Sequence, residues 1–382
     1  MNEFFAILSV LLVPLLLVYA GYLLFYFRGF SLLTGGRNVS TPSVTVIIPA
    51  RNEEKNIRRC LESLVRQDYP KELFEIIVVD DGSSDGTAGI VEEFSGSHSH
   101  RITCLPLKTR STRISPKINA LSAGIEISTG DILATTDADC TVSENWISSL
   151  AAHFEETVGV VTGTTVYAKS ESLSRLFLGI QFLDFISYTA VGAGSIGQDT
   201  VSTCNGSNMA FRRKAFNDIG GFDSFSHLNT GDDSLLGQKI TASKKWKAKF
   251  IVDPFSSVTT QPAASWKEFF SQRMRWAGQT TEYPAGTLIF MINTFLLYIL
   301  LFISIPASIV TGTIVPIGVW IVKSAADYSI MRKFCRLTKT EEALRYFLPT
   351  ALIHIPVILY SVFGGFFGRF TWKDRTIGRT AE

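Results

Sequence analysis

The sequence predicts an α/β domain with a mainly parallel sheet, flanked by transmembrane helices. Two observations support this prediction. Between residues 43 and 255, short strands rich in β-branched residues alternate with helical stretches and turns, a pattern typical of a parallel sheet with helices on both faces. On either side of this region lie uncharged apolar runs that are long enough to cross a bilayer as helices.

The predicted strands are short apolar runs bounded by turn residues. Between the first two runs, apolar residues at positions 57, 60, 61, 64 and 65 recur at helical spacing and stop before Tyr69-Pro70. This spacing predicts a crossover helix with one face toward the core. The predicted strands are VTVIIPA, FEIIVVDD, ITCLPL, DILATTDAD and VGVVTGTTV.

The composition excludes several classes of protein. Hydrophobic residues make up 46% of the 382 residues and charged residues only 18%, which is too apolar for an ordinary soluble enzyme. The formal net charge of +2 gives no basic field for binding nucleic acid. The five cysteines are scattered without a CxxC pair, and the histidines form no HExxH pattern. We therefore expect reduced thiols in a cytosolic domain and, for any metal, oxygen ligands.

Residues 1–30 are predicted to form an N-terminal transmembrane anchor. Residues 4–27 are an uncharged run of 24 residues, which is enough to span the hydrocarbon core. A cleaved signal peptide has a shorter apolar core that follows a basic stretch, whereas this run follows Met1-Asn2-Glu3. Arg28 and Arg37 come after the run, so the positive-inside rule places the following domain, residues 40–280, in the cytosol.

Residues 285–368 are predicted to form a C-terminal transmembrane region of two or three helices, followed by a basic tail at 369–382. The run 285–322 is close to two crossings joined near Thr311-Gly312-Thr313. The basic loop that follows it and the basic tail both have cytosolic character. If residues 347–368 crossed the membrane once, the basic loop and the basic tail would lie on opposite sides. Either 285–322 therefore crosses only once, or 347–368 does not span fully. The chain is thus expected in a bacterial inner membrane.

Polar residues follow the first two predicted strands. In an open α/β sheet, ligands bind at the carboxyl ends of the strands. Asp80 and Asp81 can accept hydrogen bonds from a nucleobase or ribose, and Arg51 can meet phosphate charge. Alternatively, DDGSSDGT caps the next helix. The candidate ligand-binding residues at this edge are Pro49, Ala50, Arg51 and Glu53 at and after the end of the first strand, and Asp80 and Asp81 at the end of the second.

A second group of candidates concerns a diphosphate and its cation. Asp137 and Asp139 stand one residue apart at the end of the fourth strand, where two carboxylates can share Mg²⁺ or Mn²⁺. Asp137 is also a candidate for binding the molecule that carries the diphosphate. Lys117 opens a predicted helix and can reach the same diphosphate, although a free surface lysine would fit the pattern equally well.

Two further motifs complete the set. Thr230-Gly231-Asp232-Asp233 offers a carboxylate suited to act as a general base on an acceptor hydroxyl. SWKEFFSQRMRWAGQ is a predicted amphipathic helix with Gln272, Arg275 and Trp276, where arginine can pair with phosphate and tryptophan can support a sugar. Trp276 is equally suited to anchor the helix at the membrane interface.

Together the motifs VIIPARNEE, VVDDGSSDGT, PKINAL, DAD, GDD and QRMRW resemble the membrane-bound family 2 glycosyltransferases of GT-A fold. That group contains cellulose, chitin and hyaluronan synthases and ceramide glucosyltransferases. The resemblance covers about residues 44–276. This sequence departs from it at Asp232, where the family has glutamate, and at Pro116, where glycine often precedes the lysine.

The resemblance implies roles for individual residues. It implies that Asp233 is the base, with Asp232 as the other candidate, in an inverting transfer. Asp137 and Asp139 would hold the metal diphosphate, and Gln272, Arg275 and Trp276 would lie near the donor diphosphate and acceptor. The nucleotide would be held by Ala50, Glu53, Asp81 and Lys117.

The predicted function is transfer of a sugar from a nucleotide sugar, with a UDP-sugar preferred, to a lipid or lipid-linked acceptor at the membrane. The stretch SLSRLFLGIQFLDFISY is predicted to form an amphipathic interface helix. A processive polysaccharide synthase of the same family, acting on a glycan acceptor, is one alternative. A sugar nucleotidyltransferase is another, since it also uses a carboxylate pair with magnesium. It would release pyrophosphate rather than a nucleoside diphosphate.

Overall fold

The computed structural model describes residues 2–107, 115–226, 231–278, 283–367, 370–372 and 375–377. The chain forms two compact units, each assembled from separate segments. We call residues 33–171, 199–262 and 369–382 the sheet unit, and residues 1–32, 172–198 and 263–368 the helical unit.

In the described residues the sheet unit contains twelve strands, several of which form where the sequence has its β-branched runs. They are β1 Val44–Ala50, β2 Phe74–Asp80, β3 Arg101–Pro106, β4 Ile132–Thr135, β5 Thr141–Val142, β6 Val158–Gly163, β7 Thr165–Tyr167, β8 Met209–Arg212, β9 Lys247–Ile251, β10 Val258–Thr260, β11 Phe370–Trp372 and β12 Arg375–Ile377. The main sheet has seven strands in the order β3-β2-β1-β4-β8-β6-β9. Strands β1 to β4 pair in parallel, whereas β8 runs antiparallel to β4 and β6. The predicted α/β fold class with a mainly parallel sheet is confirmed.

Helices cover this sheet and position its loops. They are α2 Ile57–Leu64, α3 Thr87–Ser97, α4 Pro116–Ile127, α5 Trp146–Ala152, α7 Arg213–Asp218 and α8 Asp232–Ala242. The predicted core face of α2 is buried, with Ile57 and Leu61 inaccessible to solvent. Helix α4 packs close to the sheet at Gly124, where an added Cβ would stand 2.7 Å from Ile47 and 3.0 Å from Val79. This close approach sets the position of the residues at the start of α4.

The helical unit contains α1 Asn2–Gly29, α6 Arg175–Gly197, α9 Trp266–Ala277, α10 Ala285–Thr311, α11 Val315–Thr338 and α12 Phe347–Phe367. Within the described residues, the segments long and apolar enough to cross a membrane are 10–32, 175–197, 285–311 and 341–366. Helix α10 ends at Thr311 and is followed by Gly312, whose φ of 72° suits glycine, inside the turn that the sequence predicts. Helix α6 contains the predicted amphipathic stretch, and 67% of its apolar window is buried.

Side-chain contacts define how these helices run. Asn293 in α10 donates to the Leu15 carbonyl, and Tyr22 donates to the Gly286 carbonyl, so α1 and α10 are antiparallel. The Tyr19 hydroxyl donates to Asp327 at 2.7 Å, and the Lys333 ammonium donates to the Phe27 carbonyl. These last two contacts make α1 and α11 parallel.

Candidate active site

The carboxyl ends of β1, β2 and β4 lie at one edge of the sheet. The register pairs Ala50 with Asp80 and Ile47 with Thr135 in parallel strands. The loops that leave these strands therefore start side by side. They carry the polar residues that the sequence singled out.

Hydrogen bonds connect the loop after β1 to the loop after β2. The Asn52 amide donates to the Ser83 hydroxyl, and the Ser84 amide donates to the Asn52 side chain, both at 2.9 Å. The Glu53 amide donates to the Thr87 hydroxyl at 2.8 Å. Asn52 has a φ of 52°, a left-handed conformation that asparagine tolerates better than most residues. Much of the DDGSSDGT motif therefore builds this edge.

The residues predicted to hold a nucleotide lie within these loops. Asp80 accepts from the Ser83 amide and so closes the turn after β2. The buried Asp81 donates its amide hydrogen to the Ala50 carbonyl. Arg51 donates to the Asp81 carbonyl at 2.7 Å, which orients its guanidinium along this edge. The edge also carries Pro49, which is partly buried, and Glu53, which accepts from Asn56 at 2.8 Å.

Lys117 connects two groups of carboxylates that lie far apart in the sequence. Ser115 caps α4 by accepting from the Ile118 amide, and this places Lys117 in the first turn of the helix. The Lys117 ammonium lies 3.3 Å from a carboxylate oxygen of Asp137 and 3.9 Å from one of Asp232. The loop that follows β4, the start of α4 and the start of α8 thus meet at one cation.

Asp232 and Asp233 form the first turn of α8, which begins after Gly231 at a φ of 84°. One carboxylate oxygen of Asp233 accepts from the Gly206 amide and the other from the Ser234 amide, both at 2.7 Å. Burial, together with the neighbouring charge of Asp232, raises the pKa of Asp233 to about 6. A carboxylate with this pKa is suited to accept a proton near neutral pH.

Gly206 belongs to this site, although the sequence analysis did not include it among the candidates. The Thr135 hydroxyl donates to its carbonyl at 2.8 Å, which ties the loop before β8 to the end of β4. A Cβ at position 206 would stand 3.0 Å from Asp233 Oδ2 and 3.3 Å from Lys117 Nζ. The glycine in Cys204-Asn205-Gly206-Ser207-Asn208 was the available signal, since a close backbone approach favours glycine.

A small cavity opens where these groups meet. Its polar wall carries the ammonium and the adjacent carboxylates, and its opposite wall is apolar. The lining residues are Lys117, Leu121, Thr135, Gly206, Met209, Phe211, Asp232, Asp233 and Leu236.

Asp137, Asp139 and Cys140 offer one potential metal-binding atom each, and these atoms lie within 4.8 Å of one another. Burial and the charge of Asp137 raise the pKa of Asp139 to about 6. Burial raises the pKa of the Cys140 thiol, which disfavours the thiolate form that binds metals. The donor set is thus two carboxylates, which fits Mg²⁺ or Mn²⁺ better than a thiolate-seeking metal.

The QRMRW residues lie on α9, in the helical unit. The Trp276 ring stacks on Tyr188 of α6 at 5.8 Å. Gln272 accepts from the neighbouring Arg273 at 2.7 Å, and Arg275 is partly buried.

The sequence analysis missed the buried pair in this region, in which the Arg273 guanidinium donates to Asp184 of α6. Only 6% of the Arg273 side chain and 9% of the Asp184 side chain are exposed. The one acidic residue within the apolar stretch of α6 was the signal, since a charge in such a segment needs a partner.

Comparisons with known proteins agree with this architecture. The chain is 32% identical over 241 residues to a probable glycosyltransferase, YdaM, of Bacillus subtilis, covering 62% of this chain and 54% of the relative. It is 25% identical to a β-monoglucosyldiacylglycerol synthase of Trichormus variabilis, over 62% of this chain and 49% of that protein. The chain thus spans about half the length of the curated relatives it matches.

A solved structure has a similar fold. It is a mannosyltransferase of Pyrobaculum calidifontis in complex with GDP-Man and Mn²⁺, with a TM-score of 0.60 and 20% identity. The match covers 90% of this chain and 99% of the other. It confirms the expected GT-A fold.

The sequence profile described as glycosyl transferase family 21 matches residues 13–374, nearly the whole chain. The relatives and this profile are glycosyltransferases, which does not favour the nucleotidyltransferase alternative. The chain belongs to glycosyl transferase family 21, and it is a glycosyltransferase.

Proposed function

We propose that this glycosyltransferase transfers a sugar, with inversion, from a nucleotide sugar to a lipid or lipid-linked acceptor at the cytoplasmic face of the inner membrane. The observation that carries the proposal is the position of Lys117, which lies between Asp137 and Asp232. It brings a candidate diphosphate site and a candidate base together within the sheet unit. A UDP-sugar is the preferred donor, because the motif set resembles that of membrane-bound family 2 enzymes.

Asp233 is the proposed general base, and Asp232 the neighbour that raises its pKa. At neutral pH a carboxyl group with a pKa of about 6 is mostly ionised, yet it accepts a proton more readily than an exposed aspartate does. The backbone amides of Gly206 and Ser234 fix the orientation of the carboxylate. The acceptor hydroxyl loses its proton to Asp233 while its oxygen attacks the anomeric carbon opposite the leaving nucleotide. A single displacement of this kind inverts the anomeric configuration.

Asp137 and Asp139 would hold a divalent cation together with the donor diphosphate. When bound, Mg²⁺ or Mn²⁺ offsets the negative charge of the departing nucleoside diphosphate. Lys117 contributes a second positive charge on the same side, since its ammonium lies 3.3 Å from Asp137. The nucleotide side of the site is proposed to consist of Pro49, Ala50, Arg51, Glu53, Asp80 and Asp81. A role near the donor diphosphate and acceptor is proposed for Gln272, Arg275 and Trp276.

A lipid acceptor is favoured by the length and number of the apolar helices. The relative in Trichormus variabilis is named for a glucosyldiacylglycerol product, which is a glycolipid. Another relative, from Staphylococcus epidermidis, is named a poly-β-1,6-N-acetyl-D-glucosamine synthase, so a glycan acceptor is the second candidate.

Contacts of α12 bear on the side of the basic tail. Its middle meets the middle of α10, where His354 lies 3.1 Å from the Tyr298 hydroxyl. Its first residue, Phe347, contacts Tyr328 of α11, and Phe363 near its end contacts Phe295 of α10. In the expected topology, α10 leaves the cytosol and α11 returns to it. The contacts at the two ends of α12 therefore lie nearer the cytosol than the contact at its middle. We propose that α12 re-enters rather than crosses, so that the tail shares the cytosolic side with the C-terminal end of α11, which carries the basic residues at 332–336.

The experiment is a panel of nucleotide sugars incubated with membranes that contain the full chain, followed by lipid extraction. The expected result is a labelled glycolipid with one donor, release of a nucleoside diphosphate, and loss of product when a chelator is added. Processive elongation of soluble oligosaccharides without any glycolipid would contradict the choice of acceptor. Release of pyrophosphate from a nucleoside triphosphate would contradict the reaction itself.

A further inference from the structure

A basic groove lies at the C-terminal ends of α1 and α11, entirely within the helical unit. Its volume is about 480 Å³, which is within the usual range for a small-molecule site. All three charged side chains that line it are cations. The lining residues are Phe27, Tyr328, Ser329, Arg332, Lys333, Arg336 and Leu337.

One of the three cations has an evident structural role. The Lys333 ammonium donates to the Phe27 carbonyl at 2.9 Å and to the Ser31 hydroxyl at 2.7 Å. It also lies 4.0 Å from the centre of the Phe27 ring. Lys333 therefore satisfies a carbonyl at the end of α1, where the helix leaves such groups without partners.

The two arginines have no comparable role. Arg332 and Arg336 are exposed and stand four residues apart on α11, which puts them on the same face of the helix. Within the part of the chain that the structure describes, neither guanidinium has a hydrogen bond or an ion pair. Like charges at this spacing repel, so the pair destabilises the helix unless an anion lies between them.

The surface of α11 changes in character along its length. Its first half exposes Ile317, Ile321 and Val322, with exposed fractions of 40%, 54% and 55%. Next comes Tyr328 at 40%, and then the exposed arginines. This order of apolar, aromatic and cationic groups matches the acyl, interfacial and phosphate layers of a bilayer.

We propose that this groove binds the phosphate headgroup of an anionic glycerophospholipid of the surrounding membrane. Arg332 and Arg336 would hold the phosphate by bidentate hydrogen bonds. Phe27 and Tyr328 supply an apolar wall for the glycerol and the first carbons of the acyl chains, and Leu337 lines the groove beside Arg336. The site is separate from the proposed site of sugar transfer and needs neither donor nor acceptor.

The test uses the full chain purified in a non-ionic detergent and short-chain phosphatidylglycerol as the probe, with binding read by native mass spectrometry. Phosphatidylcholine and inorganic phosphate serve as parallel probes. Phosphatidylglycerol is expected to bind more tightly than either. With both Arg332→Gln and Arg336→Gln, the affinity is expected to fall about 25-fold, at roughly 5-fold for each cation near a membrane surface.

A matched control is the double variant Arg175→Gln with Arg345→Gln. It removes two exposed arginines from the same unit but outside the groove, and binding is expected to stay at the wild-type level. If both double variants weaken binding equally, the effect is one of general charge and the groove assignment is wrong. Equal affinity for phosphatidylcholine, or for inorganic phosphate, would likewise overturn it.

Two further variants separate binding from folding and from membrane orientation. Leu337→Glu places a carboxylate in the groove at a partly exposed position and is expected to weaken binding without a change in the unfolding temperature. Arg332→Lys with Arg336→Lys keeps the charge that orients the helix but loses the bidentate geometry, and an intermediate affinity is expected. Asp233→Asn should bind phosphatidylglycerol normally, so failure of the sugar-transfer proposal and failure of this one remain distinguishable.

Discussion

Replacement of Asp233 by asparagine tests the proposed base directly. Both carboxylate oxygens of Asp233 accept a backbone amide hydrogen at 2.7 Å. An asparagine has only one acceptor oxygen, so its NH₂ group must face the amide of either Gly206 or Ser234. The free energy of unfolding is expected to change by less than about 1.5 kcal/mol, because the loss of a charge-assisted hydrogen bond is offset by the removal of a negative charge that burial and Asp232 disfavour. Loss of the base is expected to lower the turnover rate by about 10²–10⁴-fold.

The assay measures kcat/KM for sugar transfer between about pH 4.5 and 8, a range that brackets the pKa of the proposed base. Thermal unfolding is followed in parallel. The base must be ionised to act, and the pKa of Asp233 is about 6. Activity of the wild-type chain is therefore expected to be full above that pH. It should fall by about tenfold per pH unit below it. The Asp233→Asn variant should lose this dependence on pH when the divalent cation is saturating, because a bound cation keeps Asp139, whose pKa is also raised to about 6, ionised.

Asp232→Asn is the matched control, because it makes the same chemical change at the adjacent position. Asp232 lies 3.9 Å from the Lys117 ammonium. Its replacement is expected to cost less activity and to shift the acid limb toward lower pH, since a neighbouring negative charge is removed. If Asp232→Asn proves the more damaging change, or if Asp233→Asn keeps an acid limb near pH 6, then Asp233 is not the base.

Three further predictions concern the cation and the packing. Asp139→Asn is expected to weaken the binding of Mn²⁺, measured by calorimetry with the donor nucleotide present, while the unfolding temperature changes little. An unaltered affinity for Mn²⁺ would refute the proposed ligand role of Asp139. Asp184→Asn leaves the Arg273 guanidinium buried without its counter-charge, and this is expected to cost about 3–5 kcal/mol of stability in denaturant unfolding. A loss below about 1 kcal/mol, the value typical of an exposed pair, would show that the pair is hydrated. Gly124→Ala introduces a Cβ 2.7 Å from a core isoleucine and is expected to destabilise the chain by about 1–3 kcal/mol. The control is Gly89→Ala on α3, where an added Cβ has nothing within 4 Å, and it should be neutral or stabilising. Equal effects of the two changes on stability would contradict the packing argument.

Local patterns were sufficient to predict most of the sheet. The predicted run VTVIIPA coincides with β1, and FEIIVVDD exceeds β2 by one residue. The run VGVVTGTTV divides into β6 and β7, which belong to different sheets. A continuous β-branched run does not reveal such a division, because strand pairing depends on residues distant in the sequence.

The membrane segments were predictable in position but not in path. Apolar runs marked α1, α10 and α12, because length and lack of charge alone decide whether a helix can span lipid. The stretch SLSRLFLGIQFLDFISY predicts an amphipathic helix, and the structure adds that the apolar window of α6 is 67% buried. The contacts of α12 with α10 and α11 are tertiary, so the sequence left the side of the tail open.

The sequence by itself determined the fold class, the edge of the sheet that carries the polar loops, and the acidic residues worth testing, because strand and helix periodicity and residue chemistry are local properties. Only the tertiary structure showed that Lys117 lies between Asp137 and Asp232 and that the Gly206 amide donates to Asp233. It also revealed the buried pair of Arg273 and Asp184. Such distances result from the packing of helices and loops against a common core, which no single segment of the chain encodes.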